Sequence, residues 1–221
     1  MLWPMTATVA VRGEAIREVD PEIATVLVTC TARDKDRSTT LSRLSARVEA
    51  VRSTLAGYSD ALERHETSRL SVYAETRGRG ERVAAYVGTA NTSITITDLD
   101  VVGEMMLRLA DLDQIAVNGP FWALRPGSPV YREARNAAVA EAIERAREYA
   151  AALGAHITAL VELTDNGMSG GAVPLAFASR KMMDLAGPPE MDLDPQRQTI
   201  QANVEARFEI SDPTVLAEPL D

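Results

Sequence analysis

The residues able to do chemistry in this chain are few. Its 221 residues include two histidines, His65 and His156, and one cysteine, Cys30. A zinc-type site needs Cys, His or carboxylate ligands at short, regular spacing, and neither histidine has such neighbours. A nucleophile–histidine pair is made in space rather than in sequence, so it stays open, but no G-x-S-x-G turn presents a serine for it. His65, beside Glu66, reads as an exposed loop residue ahead of a strand, and His156 as a strand start after a helix. Cys30 lies inside an apolar run and reads as a small buried hydrophobe. Asp-Leu-Asp occurs at Asp98–Asp100, Asp111–Asp113 and Asp192–Asp194. Paired carboxylates can hold Ca²⁺ or share acid–base work. Helix capping explains the first triplet, a helix-to-strand loop the second and solvation the third.

Phosphate chemistry is equally sparse. There is no G-x-x-x-x-G-K-[ST] loop, and Gly78-Arg79-Gly80 falls between two strands rather than between a strand and a helix. Arg77, Arg79 and Arg82 make that turn basic, yet Glu75 and Glu81 flank it, as in a solvated hairpin turn. Asn91-Thr92-Ser93 matches a glycosylation sequon but sits within a predicted strand. No catalytic, cofactor-binding or metal-binding residue is assigned, and no cofactor is expected.

Composition narrows the class. Apolar residues make up 46% and charged residues 25%, ordinary values for a globular chain. The net charge of −9 disfavours a nucleic-acid surface. No run approaches the roughly 20 apolar residues of a membrane-spanning helix. The start, MLWPMTATVAVRGE, lacks the basic and apolar regions of a standard secretory signal. A lone cysteine precludes an internal disulfide and suits a reducing compartment, so a cytoplasmic location is expected.

The elements that must position any site follow from periodicity. Pro129–Leu153 has the amphipathic spacing of a helix, with Tyr131, Ala138, Val139, Ala142, Ile143, Ala146, Tyr149, Ala150 and Leu153 on one face. Ser128 suits its N-cap, Pro129 its first turn and Gly154 its left-handed stop. Its apolar stripe is mostly alanine, and Arg135 is the discordant letter within it. Upstream, Thr6–Arg12 reads as a strand ending at Gly13. Ile23–Ala32 is apolar on both sides, the pattern of a central strand. A helix follows to Ala56, with Leu41, Leu44, Val48, Val51 and Leu55 facing a core. A strand over Thr67–Ala74 leads to a long strand over Val83–Thr97, with Gly88 a natural bulge. A helix carrying Leu99, Val102, Met105, Met106 and Leu109 then precedes a strand over Ile115–Ala123.

From Ile23 to Ala123 the order is β-α-β-β-α-β, the ferredoxin-like split order. Strands over Ile157–Leu163 and Ile200–Ile210 follow the alanine-rich helix, and the last alternates cleanly between apolar and polar. The tail from Asp212 is expected to be loose. The fold class is therefore α+β, with antiparallel or mixed sheets and three long helices. A ferredoxin-like portion (22–124) and a second lobe (5–14 with 128–211) are expected within one domain, 1–221.

Several phrases together resemble one family: VAVRGEA followed by DPEIATVLV, RHETSRLSVYAE, AYVGTANTSITITDLDVVGEMM, VNGPFWAL, the helix through AALG and the final alternating strand. The chain is similar here to the SIMPL-domain family, which includes bacterial periplasmic immunogenic proteins and a eukaryotic signalling protein. The resemblance spans most of Ala7–Ile210. It implies no established catalytic residues, an association with stress tolerance and the cell envelope, and, for some members, ring-like homo-oligomers. Two departures stand out: the missing export signal, and Arg135 where the family usually places an apolar residue.

Residues 165–197 carry Gly-Gly, Pro-Pro and four of the eight methionines and read as a long irregular loop. Within it Pro174–Met183 is apolar enough for a short helix. Leu175, Phe177, Met182 and Met183 are its candidate self-association or partner-docking residues, methionine suiting an adaptable surface. Arg135 is the candidate lobe-interface residue if it meets an acidic partner, and merely structural if it snorkels to solvent. The leading expectation is a non-enzymatic, self-associating SIMPL-type protein, a homo-oligomer with an unknown protein partner and a stress-related scaffold or interaction role. The alternative is a small-molecule binder or enzyme using a cleft between the lobes, recognisable by a deep pocket gathering groups such as His156, Arg135 and Tyr131. Nucleic-acid binding through the arginine turn is the least favoured.

Overall fold

In the computed structural model, which describes residues 7–77, 82–170, 191 and 193–217, the alternation of apolar and polar residues resolves into two antiparallel sheets. The elements are β1 (Thr8–Val19), β2 (Ile23–Asp34), α1 (Arg37–Ala56), β3 (Leu62–Arg77), β4 (Arg82–Ile96), α2 (Val102–Ala110), β5 (Ile115–Ala123), α3 (Pro129–Ala152), β6 (Ile157–Gly170) and β7 (Gln198–Ile210). They form two compact units. The first holds the chain up to Val19, Pro126–Leu175 and the chain from Arg197; the second holds Asp20–Arg125 and Ala176–Gln196.

The second unit is a sheet in the order β3-β4-β2-β5, every neighbour antiparallel, with α1 and α2 in the split arrangement of a ferredoxin-like fold. The α+β class stands. Alternate residues of β2, from Ala24 through Val26, Val28 and Cys30 to Ala32, are buried in one cluster with Leu44, Val51 and Leu55 of α1 and Val102, Met105 and Leu109 of α2. β2 is central, as expected, but only one of its faces is covered: Thr25, Thr29 and Thr31 are half-buried on the other, and Leu27 is exposed.

Three local expectations change. α1 buries Thr40 and leaves Leu41 43% exposed, because the Thr40 hydroxyl donates to Asp36 O (2.9 Å) and so enters the core without an orphaned polar group. Gly88 makes no bulge. It keeps register with Ala32 and Val72, and a Cβ there would touch Leu44 and Thr40 of α1. The third long helix is short, since α2 has nine residues after a 3₁₀ turn, Leu99–Val101, that Asp98 caps. The N-cap of α1 is Asp36, which accepts from Thr39 N (2.8 Å) and Thr39 Oγ1 (2.9 Å), and these bonds lower its carboxyl pKa.

The first unit is a sheet in the order β1-β7-β6 under α3. Twelve consecutive residues of β1 pair with β7 with no change of register. The buried face of α3 is one row, Ala134, Ala138, Ala142, Ala146 and Ala150, each fully inaccessible. This row is narrower than the expected stripe: Tyr149 is 54% exposed, and Arg135 lies outside it, exposed. Alanine brings the helix backbone down onto Gly13. A Cβ on Gly13 would sit 2.7 Å from Ala142 N and Ala142 Cβ and closer still to Ala138 O. β1 therefore runs straight through Gly13 instead of ending there.

At the far end of α3, Gly154 takes φ +65° and Ala155 N donates to Ala150 O (2.9 Å), the stop its sequence suggests. The tail is docked there. Thr214 N donates to Leu153 O (3.1 Å), and its hydroxyl donates to Gly154 O (3.2 Å). β6 also continues to Gly170, past the Leu163 where the alternation stops, so the first residues of the irregular stretch expected over 165–197 are strand.

These contacts rank the glycines. Gly13→Ala is expected to cost at least about 3 kcal/mol, beyond ordinary overpacking because the obstacle is helix backbone. Gly88→Ala, opposed by side-chain ends, should stay within about 1 kcal/mol of wild type. Calorimetric unfolding of the two variants checks the order.

Candidate interaction surface

The residues with chemical potential are scattered. His65 is not in a loop but within β3, exposed opposite Ile94. His156 is exposed after α3, its backbone N–H bonded to Ser211 Oγ (3.1 Å). Cys30 is fully buried, and burial raises its thiol pKa, partly offset by the charge of Arg47. Arg47 donates to Thr31 O (2.7 Å) and pairs with Asp113 (2.8 Å), which gives the second Asp-Leu-Asp triplet a structural role. Asp194 is exposed. Among the described residues no group of three or more His, Cys, Asp or Glu could hold a metal. Tyr58, which sequence reasoning passed over, is buried beneath the Arg108 guanidinium, 5.6 Å from its ring centroid, and burial and Glu104 raise its pKa. Arg108 is itself paired with Glu104 (2.6 Å).

The other sequence candidates also fail to converge. Leu175, Phe177, Met182 and Met183 lie outside the described residues, as do the middle of the arginine turn and Asp192. Met191 and Leu193, at the end of the expected irregular stretch, lie against Gly103 of α2. Arg135 lines an open depression of about 590 Å³ at the start of α3 with Ser128, Tyr131 and Arg132. His156 lines another, of about 530 Å³, beside the C-terminal half of that helix. A helix of 24 residues is about 36 Å long, so α3 holds His156 away from Tyr131 and Arg135.

What the first unit does bring together is a sheet with two unlike edges. Ile210 N donates to Ala7 O (2.9 Å), so the odd residues of β1 bond β7 and the even ones turn their main-chain groups outward. Those outward groups are the template on which another strand could add. Three of them are occupied by side chains. Arg145 Nη1 donates to Arg12 O (2.8 Å), Glu14 N donates to Glu141 Oε2 (3.1 Å), and Arg197 donates to Glu18 O (2.9 Å). Glu141 and Arg145 are one turn apart on α3 and paired to each other. Between them they supply the donor and acceptor that one residue of a parallel strand would supply. They form a clasp over the β1 edge.

β6, the opposite edge, has no such cover among the described residues. α3 lies over β1 and β7 and barely reaches it. Leu160, Val161 and Leu163 are 56%, 51% and 48% exposed. Leu160 and Leu163 pair with the buried Phe208 and Ala206, so they stand on the helix side of the sheet. Together with Ile143 and Phe208, Leu160 walls the open groove of about 530 Å³ between α3 and β6, with Arg147 and His156 at one end. Three register shifts along β6 leave Glu162–Asp165 as a regular run. The opposite face of the sheet is charged: Arg12, Glu14, Glu205, Arg207 and Glu209.

Two measurements follow. Cys30 should resist thiol reagents until the second unit unfolds. Because its pKa is raised, the associated stability is complete below the ordinary thiol range and lost as the pH rises through the raised value; a Cys30→Ala variant should lack that alkaline loss. The Glu141→Gln, Arg145→Met double variant should lose no more than about 1 kcal/mol, the scale of an exposed ion pair and its bonds. Light scattering at matched concentration should nevertheless show it associating more than wild type, through the opened β1 edge.

No curated protein is similar enough to this chain to count as a match. The model of one family, described as SIMPL, protein of unknown function (DUF541), matches residues 9–208, from the second residue of β1 to within two residues of the end of β7. With both sheets and all three helices inside that match, the chain belongs to the SIMPL family.

Proposed function

We propose that this protein is a non-enzymatic, self-associating interaction module. The observation that carries the proposal is the inequality of the two edges of the β1-β7-β6 sheet: one is clasped by Glu141 and Arg145, and the other presents Leu160, Val161 and Leu163 beside an open groove. A contiguous apolar strip on a strand edge is costly in water and is characteristic of surfaces that become covered. The scatter of His65, His156, Cys30 and Arg135 among separate environments supports a scaffold over a catalyst. The stress-related setting is the one the family resemblance suggests. No helix among the described residues is long and apolar enough to cross a membrane, which says nothing of a barrel.

Sedimentation velocity over a wide concentration range, at moderate and high salt, tests the reading. An apolar contact predicts a sedimentation coefficient that rises with concentration and persists in high salt. A single monomeric species throughout would sink it.

A further inference from the structure

We propose that β6 is the docking strand for a second copy of this chain, antiparallel and centred on Leu163 of both copies. The inference rests on the self-association proposed above and names its surface. Its first support is the direction of the main chain. Even residues of β7 bond β1, as Ile210 does to Ala7, so the odd ones serve β6: Glu205 faces Thr164 and Arg207 faces Glu162. Alternation then turns the N–H and C=O of Leu163 outward, away from β7. A residue so placed can pair with its own copy about a two-fold axis, each N–H donating to the other's C=O, as an isologous contact requires.

The side chains fit that register. With Leu163 on the axis, Glu162 meets Thr164 of the second copy, so no carboxylate faces another. On the helix side of the sheet, Leu163 meets Leu163, and each Leu160 extends the apolar strip into the groove against Ile143 and Phe208. Charge sets no obstacle along the strand: in this register Asp165 meets Val161 of the second copy, and Arg147 keeps its own pair with Glu144 (3.1 Å). The two three-stranded sheets become one of six strands with both α3 helices on the same side. The contact is short, at or below about 1,200 Å², so it is expected to be reversible. The clasp on β1 obstructs the other edge at Arg12 and Glu14, which disfavours addition of a further copy there.

The test uses the full chain and three variants. Leu163→Cys should give a disulfide-linked dimer on mild oxidation, since paired Cα atoms of such a strand pair lie within disulfide reach and the native Cys30 is buried. Ile16→Cys, an exposed position on the clasped strand, should not. Leu163→Lys should weaken association at least about tenfold with the melting temperature unchanged, because it sets two charges face to face on the axis. If Leu163→Lys associates as wild type does, or Leu163→Cys cross-links no better than Ile16→Cys, the β6 assignment is overturned while self-association stands. If wild type is monomeric at every concentration, both fail.

Discussion

The backbone-to-backbone approach of α3 to Gly13 sets the geometry of the first unit. Five alanines in a row keep the helix low, and the absence of a side chain on Gly13 lets it settle against Ala138 and Ala142. Each alanine buries little area, so cohesion here comes from dense dispersion contact rather than from large hydrophobic side chains. The same closeness gives Glu141 and Arg145 their reach. On a helix held a side chain's length higher, neither would extend around the edge of β1 to the main chain of Arg12 and Glu14. A narrow row of small residues also covers a narrow width of sheet, which is why the helix stops short of covering β6. Closure of one edge and exposure of the other are thus two results of a single packing choice.

The second unit solves the same problem with bulk. Leu44, Val51 and Leu55 of α1 and Met105 and Leu109 of α2 interlock with Val26, Val28, Ile94 and Ile96 of β2 and β4, with Ala24, Ala32 and Ala90 filling between them. Large side chains on both layers hold the two helices on β4, β2 and β5 and span more of the sheet. Its edges are managed by other means: β3 carries three register shifts, and β5 contains Pro120, which offers no N–H to an incoming strand.

Sequence periodicity located the elements whose residues alternate or repeat without interruption. β5 has the bounds its alternation predicts, α3 begins at Pro129 behind the Ser128 cap, and the split order of the second unit is readable from spacing alone. Legibility fails on the long strands β3 and β6. β3 runs sixteen residues and β6 fourteen, both longer than their patterns suggest, because exposed positions on both faces and repeated register shifts erase the two-residue period. The clasp was hidden for a different reason. A glutamate and an arginine four apart on a helix look like any solvated pair, and nothing local says that their partners are main-chain atoms of a strand more than a hundred residues earlier. Thr40 shows the same blindness at smaller scale: a hydroxyl satisfied by its own helix can take the core position that its letter argues against.

The pairing of β1 with β7 has a consequence for how the chain comes into being. β1 takes as its partner a strand that is synthesised only after the whole of Asp20–Arg125 and α3. The second unit, whose described strands and helices lie within Asp20–Arg125, has its sheet and both helices early and can begin to fold while the rest is still emerging, with Met191 and Leu193 added against α2 later. β1 must wait. Until β7 is released, α3 has only half of its floor, and the strand it covers has no neighbour on the side it will eventually bond. Completion of the first unit is therefore a late, long-range closure, slow by its topology. Throughout that interval Glu141 and Arg145 are already present on α3 and need only β1 to act on, so the edge most exposed to a wrong partner during synthesis is the one the helix can shield before the sheet is complete.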